Sequence, residues 1–226
     1  MATISATPKG KLIILEAGDA SGKATQTRLL TERLEHEGRD VRRVAFPDYE
    51  SESSALVKMY LSGKFGGSAD DVNPYAASTF FAVDRFASFR LKWRDFYEKG
   101  GIVIADRYTT SNLVHQAVKL DSAIERAQYR EWLLDFEYVK LGLPRPDCVV
   151  FLDMASEVSD RLLELRKERG EDIHEMDKAY LHKCHAMYQE VAALYAWERV
   201  VCSSGGKPRR VAAIADDVYK AVIKYL

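Results

Sequence analysis

Glu16-Ala17-Gly18-Asp19-Ala20-Ser21-Gly22-Lys23-Ala24-Thr25-Gln26 is the stretch on which the reading of this chain turns. It follows the apolar run 12–15 and leads into a helix-forming segment, 25–37. A glycine-rich turn between a strand and a helix start presents backbone N–H groups to a chain of phosphates. Gly18 and Gly22 let the backbone pass close to anionic oxygens, and Lys23 is in register to reach the β- and γ-phosphates of a nucleoside triphosphate. Gly18, Asp19, Ala20, Ser21, Gly22, Lys23, Ala24 and Thr25 are therefore the candidate ATP-binding residues. Two positions depart from the pattern G-x-x-x-x-G-K-[ST]: Ala17 replaces the first glycine and Ala24 the hydroxyl residue that ordinarily ligands Mg²⁺. Thr25 comes one residue later, where a helix turns it to another direction. The plain alternative, a glycine turn that only joins strand to helix, leaves the register of Lys23 unexplained.

Outward from this loop, short apolar runs alternate with longer helical stretches. Strands are expected at 12–15, 41–46, 102–105, 148–152 and 200–202, and all but the second are continuous apolar runs, as in strands covered on both faces. The second is interrupted by Arg42 and Arg43. Helices are expected at 25–37, 54–62, 74–99, 109–141 with a break near Asp121, 156–165, 177–197 and 210–225. Alternating β and α units imply a parallel sheet with right-handed crossovers. The expected fold is three-layer α/β of the P-loop NTPase kind, with about five parallel strands flanked by helices. Residues 1–226 are expected to form a single domain with a small mobile lid.

The bulk properties narrow the ligand. Lys and Arg number 33 against 34 Asp and Glu, a net charge of −1, so no global basic field exists to hold a long nucleic acid. A compact anion needs only a local cluster of arginines. No run approaches the ~20 apolar residues of a membrane span, and the first eleven residues lack the apolar core of a secretion signal. The 3 cysteines form no CxxC pair. A reducing cytoplasmic setting without structural zinc is expected.

After the third strand comes Ala105-Asp106-Arg107-Tyr108. A carboxylate at the C-terminal edge of a strand near a P-loop is placed to bind Mg²⁺ directly or through its waters, which makes Asp106 the metal candidate. Arg107 beside it offers forked donors to a phosphate. Taken alone, neighbouring Asp and Arg often form a plain salt bridge. Arg85 lies four residues beyond Phe81 and shares its helical face, although one of Phe80 and Phe81 belongs to the core. His174, His182 and His185 read as residues of a solvated helix, and His115 alone reads equally well as an ordinary helix residue.

In this order the chain resembles the thymidylate kinase family nearly end to end. The matching motifs are Asp19-Ala20-Ser21-Gly22-Lys23, Phe46-Pro47, Phe81-Ala82-Val83-Asp84-Arg85, Asp106-Arg107-Tyr108 with Ser111-Asn112, and Gly142-Leu143-Pro144-Arg145-Pro146-Asp147. The resemblance implies phosphorylation of dTMP to dTDP with ATP as donor, Mg²⁺ as cofactor, and a homodimer whose apolar faces come from 74–99 and 109–141. It implies that Asp19 contacts the sugar 3′-hydroxyl and that Phe46, Pro47 and Ser111 border the acceptor. Phe81 would stack on thymine, Arg85 donate to its O4, and Asn112 and Gln116 meet the other base edge. Arg107 would hold the dTMP phosphate. His115 stands where relatives place an aromatic residue that crowds the sugar 2′ position, which would disfavour ribonucleotides such as UMP. Some relatives carry an arginine shortly after Phe-Pro; here Asp48-Tyr49 follows.

Residues 166–177 resemble the family's lid. Some relatives carry a catalytic arginine in the P-loop just after the acidic residue, and here that position is Ala20. The resemblance therefore moves the cation to the lid, to Arg169 first and Arg166 second, with Asp172 and Glu175 holding the lid or meeting the acceptor. Adenine is expected near 203–210, where Gly205 and Gly206 permit close approach, although a simple connecting loop reads as well. Two other functions share these features: a deoxynucleoside kinase, which needs a base at a neutral hydroxyl rather than a phosphate clamp, and a non-catalytic P-loop nucleotide-binding protein, prompted by Ala17 and Ala24. The lid yields a test. Arg169→Ala is expected to lower kcat by about 10³–10⁵-fold, with far smaller changes in KM for either nucleotide, because such an arginine acts mainly in the transition state. Steady-state kinetics at near wild-type kcat would place the charge elsewhere.

Overall fold

Lys11–Ala17 (β1) is an almost unbroken apolar run, and Leu12, Ile13, Ile14 and Leu15 are all fully buried. Such a strand needs partners on both edges and cover on both faces. In the computed structural model, which describes residues 9–165 and 178–226, it has all of these. It pairs in parallel with Ile102–Asp106 (β3) on one side and Cys148–Asp153 (β4) on the other. Val41–Ala45 (β2) adds to β3 and Glu198–Val201 (β5) to β4, giving a 5-stranded sheet in the order β2-β3-β1-β4-β5. The architecture is the expected parallel α/β sheet between helical layers.

One face is covered by Lys23–His36 (α1), whose Leu30 and Leu34 meet Ile13, Leu15, Ile104 and Val150. The opposite face is covered by the continuation of Pro74–Ser88 (α3), a helix that follows the short helix Ala55–Leu61 (α2) and packs against it. Helix α3 starts sharply because Pro74 occupies its first turn and the Asn73 side chain accepts from Ala76 N–H at 2.9 Å. It runs through a π-helical turn, Phe89–Trp93, into Arg94–Glu98 (α4), and the wider turn presses Phe89, Trp93 and Tyr97 onto Leu12, Ile14 and Val103.

The expected 109–141 helix is two helices, Thr109–His115 (α5) and Ala123–Asp135 (α6). Between them lies a 3-10 turn, Ala117–Lys119, and α6 restarts from a capping box in which Ser122 and Glu125 exchange bonds. Helix α6 also ends in a π-helical turn, Phe136–Lys140. Ser156–Glu164 (α7) follows β4, and Lys178–Leu194 (α8) packs Tyr188 on Phe151 of the sheet with rings 5.2 Å apart and nearly parallel, at 8°.

Three expectations need correction. The fifth strand lies two residues early, at Glu198–Val201, because as an edge strand it alternates buried and exposed residues and shows no continuous apolar run. Residues 203–210 are not an open loop. Ser203–Ser204 (β6) and Lys207–Pro208 (β7) form a tight hairpin whose central Gly205 and Gly206, at φ 55° and 69°, adopt the left-handed conformation that such a turn requires. His185 is not a solvated helix residue; it is part-buried and bonds Asp153 at 2.8 Å, whereas His182 is exposed and bonds Asp160. The closing helix, Val211–Ile223 (α9), lies against α1 and sends Ile214, Val218 and Val222 into the core. The expected lid, 166–177 with Arg166, Arg169, Asp172, His174 and Glu175, lies outside the described residues.

Candidate active site

The order of strands reverses at β1, and ligands of parallel α/β sheets bind beyond the carboxyl ends of the strands at that point. The glycine-rich loop is there. Gly22, at φ 80°, turns the chain into α1, and Ala20, at φ 54°, is held in the left-handed region that alanine rarely adopts. The Ser21 hydroxyl donates to the Gly18 carbonyl and closes the loop on itself. Among the described residues, a side chain at Gly18 or Gly22 would meet nothing within 4 Å. A cavity of ≈ 140 Å³ is lined by Gly18 to Thr25 and by Arg107.

Register fixes the next element. Asp106, the last residue of β3, stands level with Leu15 of β1 and Ala45 of β2, which brings it under the loop. Its carboxylate pairs with the Lys23 ammonium. Burial pushes the Lys23 pKa down, the neighbouring Arg107 charge adds to that, and Asp106 works in the opposite direction. Arg107 itself has φ 67°, a strained conformation for a non-glycine residue of the kind that gathers at functional sites. Its Nη2 donates to Asp19 at 2.7 Å and its Nη1 to the Tyr188 hydroxyl at 3.0 Å. Burial disfavours the guanidinium charge, but Tyr188, Asp19 and Glu16 outweigh it and hold the Arg107 pKa well above the usual arginine value.

A second cavity, ≈ 320 Å³, adjoins the first. Its lining includes Asp19, Lys23, Phe46, Pro47, Phe81, Arg85, Asp106, Arg107, Ser111, Asn112, His115 and Gln116, so the expected acceptor residues are brought together. Of the two adjacent phenylalanines, Phe81 lines the cavity, with Tyr60 edge-on at 6.1 Å, while Phe80 packs on Phe65. Among the described residues, the amide nitrogen of Asn112 and both amide atoms of Gln116 are buried and find no partner. Buried polar atoms are rarely left so, and a ligand edge would satisfy them. Tyr49 lines the cavity where an arginine was missed in the sequence.

Several residues that build this site have no role assigned to them by the sequence. Glu16, fully buried in β1, accepts from Thr110 at 2.5 Å, from Ser111 at 3.0 and 2.8 Å, and from Tyr188 at 3.0 Å. The Ser111 hydroxyl is therefore directed at Glu16. Glu137, in the π turn after α6, takes Nε and Nη2 of Arg85 and the Thr109 hydroxyl. Burial opposes the Arg85 charge and Glu137 more than restores it, so its pKa is raised. Asp84, 1% exposed, accepts from Asp48 N–H at 2.8 Å and Ser53 at 2.6 Å and so holds the loop that carries Phe46, Pro47 and Tyr49. The signal that finds Glu16 and Glu137 is a carboxylate inside an apolar run, which must be paired to be buried.

A parallel α/β sheet with a phosphate loop at its switch point and, against that loop, a second cavity lined by charged, amide and aromatic side chains defines a P-loop nucleotide phosphotransferase. The model of the thymidylate kinase family matches residues 15–211. A thymidylate kinase of Mycobacterium tuberculosis (strain H37Rv) is 31% identical over 209 residues, covering 89% of this chain and 95% of its own. That of Caenorhabditis elegans is 30% identical over 172 residues, covering 72% of each. The solved thymidylate kinase of Candida albicans superposes with a TM-score of 0.68 at 21% identity, covering 96% of this chain and 92% of its own. The chain belongs to the thymidylate kinase family.

The Arg85–Glu137 pair makes a stability prediction. Glu137→Ala leaves a buried guanidinium uncompensated, so unfolding in urea is expected to show a loss of about 3–5 kcal/mol. A change below about 1 kcal/mol would mean that the arginine finds another partner or reaches water.

Proposed function

We propose that this chain transfers the γ-phosphoryl group of ATP to dTMP, with the donor in the glycine-rich loop and the acceptor in the ≈ 320 Å³ cavity. The observation that carries the reading is that Asp19, Lys23 and Arg107 line both cavities, so the two phosphate groups would meet there. A phosphate oxygen of dTMP forms a bond to the γ-phosphorus as the bond from that phosphorus to the β–γ bridging oxygen breaks, leaving ADP and dTDP. The protein's task in such a transfer is alignment, charge neutralisation and exclusion of water.

In this reading the N–H groups from Gly18 to Thr25 hold the triphosphate and Lys23 neutralises its β- and γ-oxygens. Arg107 clamps the acceptor phosphate, and Asp19 both orients Arg107 and meets the sugar 3′-hydroxyl. Phe81 stacks on thymine, while Phe46 and Pro47 close the far wall of the cavity. The Arg85 guanidinium, tied on one edge to Glu137, donates to thymine O4, and Asn112 and Gln116 satisfy their buried amides on the base. His115 crowds the 2′ position. Arg169 or Arg166 of the lid supplies the cation that Ala20 does not. Adenine lies toward the 203–210 hairpin.

Mg²⁺ fits this donor set. It needs only one or two carboxylates when phosphate oxygens and waters complete its shell, and Asp106 offers a carboxylate at the junction of the cavities. Bound there with the nucleotide, the ion would neutralise charge on the β- and γ-phosphates. Ala24 and the solvent-exposed Thr25 leave that carboxylate the stronger ligand.

A deoxynucleoside kinase fits less well. Among the described residues lining the acceptor cavity, the carboxylates are Asp19 and Asp106, and each is already paired with a cation. A non-catalytic binder has no use for a strained Arg107 beside the loop. The setting is cytoplasmic, in keeping with buried free thiols at Cys148, Cys184 and Cys202 and, among the described residues, no helix long and apolar enough to cross a membrane. The working form is a homodimer, supported by Val83, Phe86, Leu91, Ile124 and Val139, which are exposed on α3, α6 and the turns that extend them.

With ATP and Mg²⁺, a panel of monophosphates is expected to show dTMP preferred over dCMP by roughly ten- to hundredfold in kcat/KM, the cost of opposing the cytosine amino group to a buried donor. UMP is expected to be poor and thymidine inactive. Equal use of dCMP would remove the role of Arg85, and thymidine outrunning dTMP would favour the nucleoside kinase. Light scattering at micromolar protein is expected to give the mass of a dimer; a monomer would leave the exposed apolar residues to another purpose.

A further inference from the structure

Arg107 is held from two directions. Asp19, on the loop, takes Nη2; on the opposite side Nη1 meets the Tyr188 hydroxyl at 3.0 Å, and that hydroxyl donates its single proton to Glu16 at 3.0 Å. Every atom of this second chain is constrained. The Tyr188 ring stacks on Phe151 of β4, and Glu16 is a residue of the central strand, gripped by Thr110 and Ser111 at the start of α5. Both residues are fully buried, so water cannot replace either partner. Burial first, and the Glu16 charge second, raise the Tyr188 pKa well above the usual phenol value, which keeps the donated proton in place.

The same helix reaches the site at successive turns. Tyr180, Cys184 and Tyr188 are spaced i, i+4, i+8 on one face of α8. Tyr180 donates to the His115 carbonyl at 2.8 Å, Cys184 Sγ lies 3.5 Å from His115 Nδ1, and Tyr188 lies 3.2 Å from His115 Nε2. Arg107 Nη1 is also 3.1 Å from His115 Nε2. A guanidinium can only donate, so Nε2 accepts and the imidazole proton sits on Nδ1, facing Cys184.

We propose that Glu16 and Tyr188 are positioning residues for the acceptor side of the reaction: together they fix the Arg107 guanidinium in the orientation in which it meets the acceptor phosphate. The inference rests on the assignment of Arg107 to that phosphate. A forked donor serves an anion only when its plane and edge are set beforehand, and the left-handed backbone at Arg107 does not set them by itself. Neither residue lines the glycine-rich loop's cavity, although Arg107 does, and it is the assignment of Arg107 to the acceptor phosphate that directs their effect to dTMP.

Tyr188→Phe keeps the ring and its stacking and removes only the hydroxyl. It is expected to lower kcat/KM for dTMP roughly ten- to hundredfold, the effect of one hydrogen bond to a charged group, with KM for ATP within about twofold of wild type. In an Arg107→Ala background the same substitution is expected to cost nothing further, because the two changes act through one group. Glu16→Gln, which preserves shape and removes the charge, is expected to show the same selective loss, with folding checked by thermal melting. Wild-type use of dTMP by Tyr188→Phe, an equal loss on both substrates in either variant, or an undiminished loss in the Arg107→Ala background would overturn the proposal. Wild-type use of dTMP by Arg107→Ala would instead overturn the assignment of Arg107, whatever Tyr188→Phe does.

Discussion

Strand β1 has hydrogen-bonded neighbours on both edges and side-chain layers on both faces, and nearly everything else about the molecule follows from that confinement. The chain that leaves it can emerge only at the carboxyl end of the sheet, between β3 and β4. Because the neighbours to either side were laid down by crossovers in opposite directions, a crevice opens there. The glycine-rich loop, the end of β3 with Asp106 and Arg107, and the buried Glu16 are all within a few residues of that crevice for reasons of register alone.

Burying Glu16 in such a strand is costly, and the protein offsets the cost locally. Its oxygens take hydroxyl protons from α5 and α8, so a group that an apolar strand would exclude becomes the point where sheet and helices are tied together. Glu137 does the same for Arg85 on the other side of the cavity. Behind the larger cavity, which Arg85 and Arg107 line, thus lie two buried carboxylates, each engaged by the protein.

Much of this was legible beforehand, and the rest was hidden for identifiable reasons. The central strands announce themselves as apolar runs because both faces are covered; β2 and β5 do not, since an edge strand has exposed positions. Lys23, Asp106 and Arg107 could be found because their spacing from strand ends is a local property. Glu16, Glu137 and Tyr188 escaped because their roles depend on partners far along the chain, with Tyr188 and Glu16 172 residues apart. The break near Asp121 was visible in composition, while the π turns, which depend on packing against the sheet, were not. The hairpin at Gly205-Gly206 was a missed opportunity, since paired glycines between short polar runs are themselves a turn signal.

The arginines that obscured β2 have a consequence of their own. An outermost strand presents an unsatisfied row of backbone donors and acceptors on which another chain can template. Arg42 and Arg43 are both exposed on β2, and Arg42 lies over the Phe96 ring at 4.5 Å, screening the apolar surface beneath. With valines at those positions the strand would be plain to read and open to growth by addition of foreign strands. The difficulty of recognising β2 and the protection of the protein against edge-on aggregation thus have one cause.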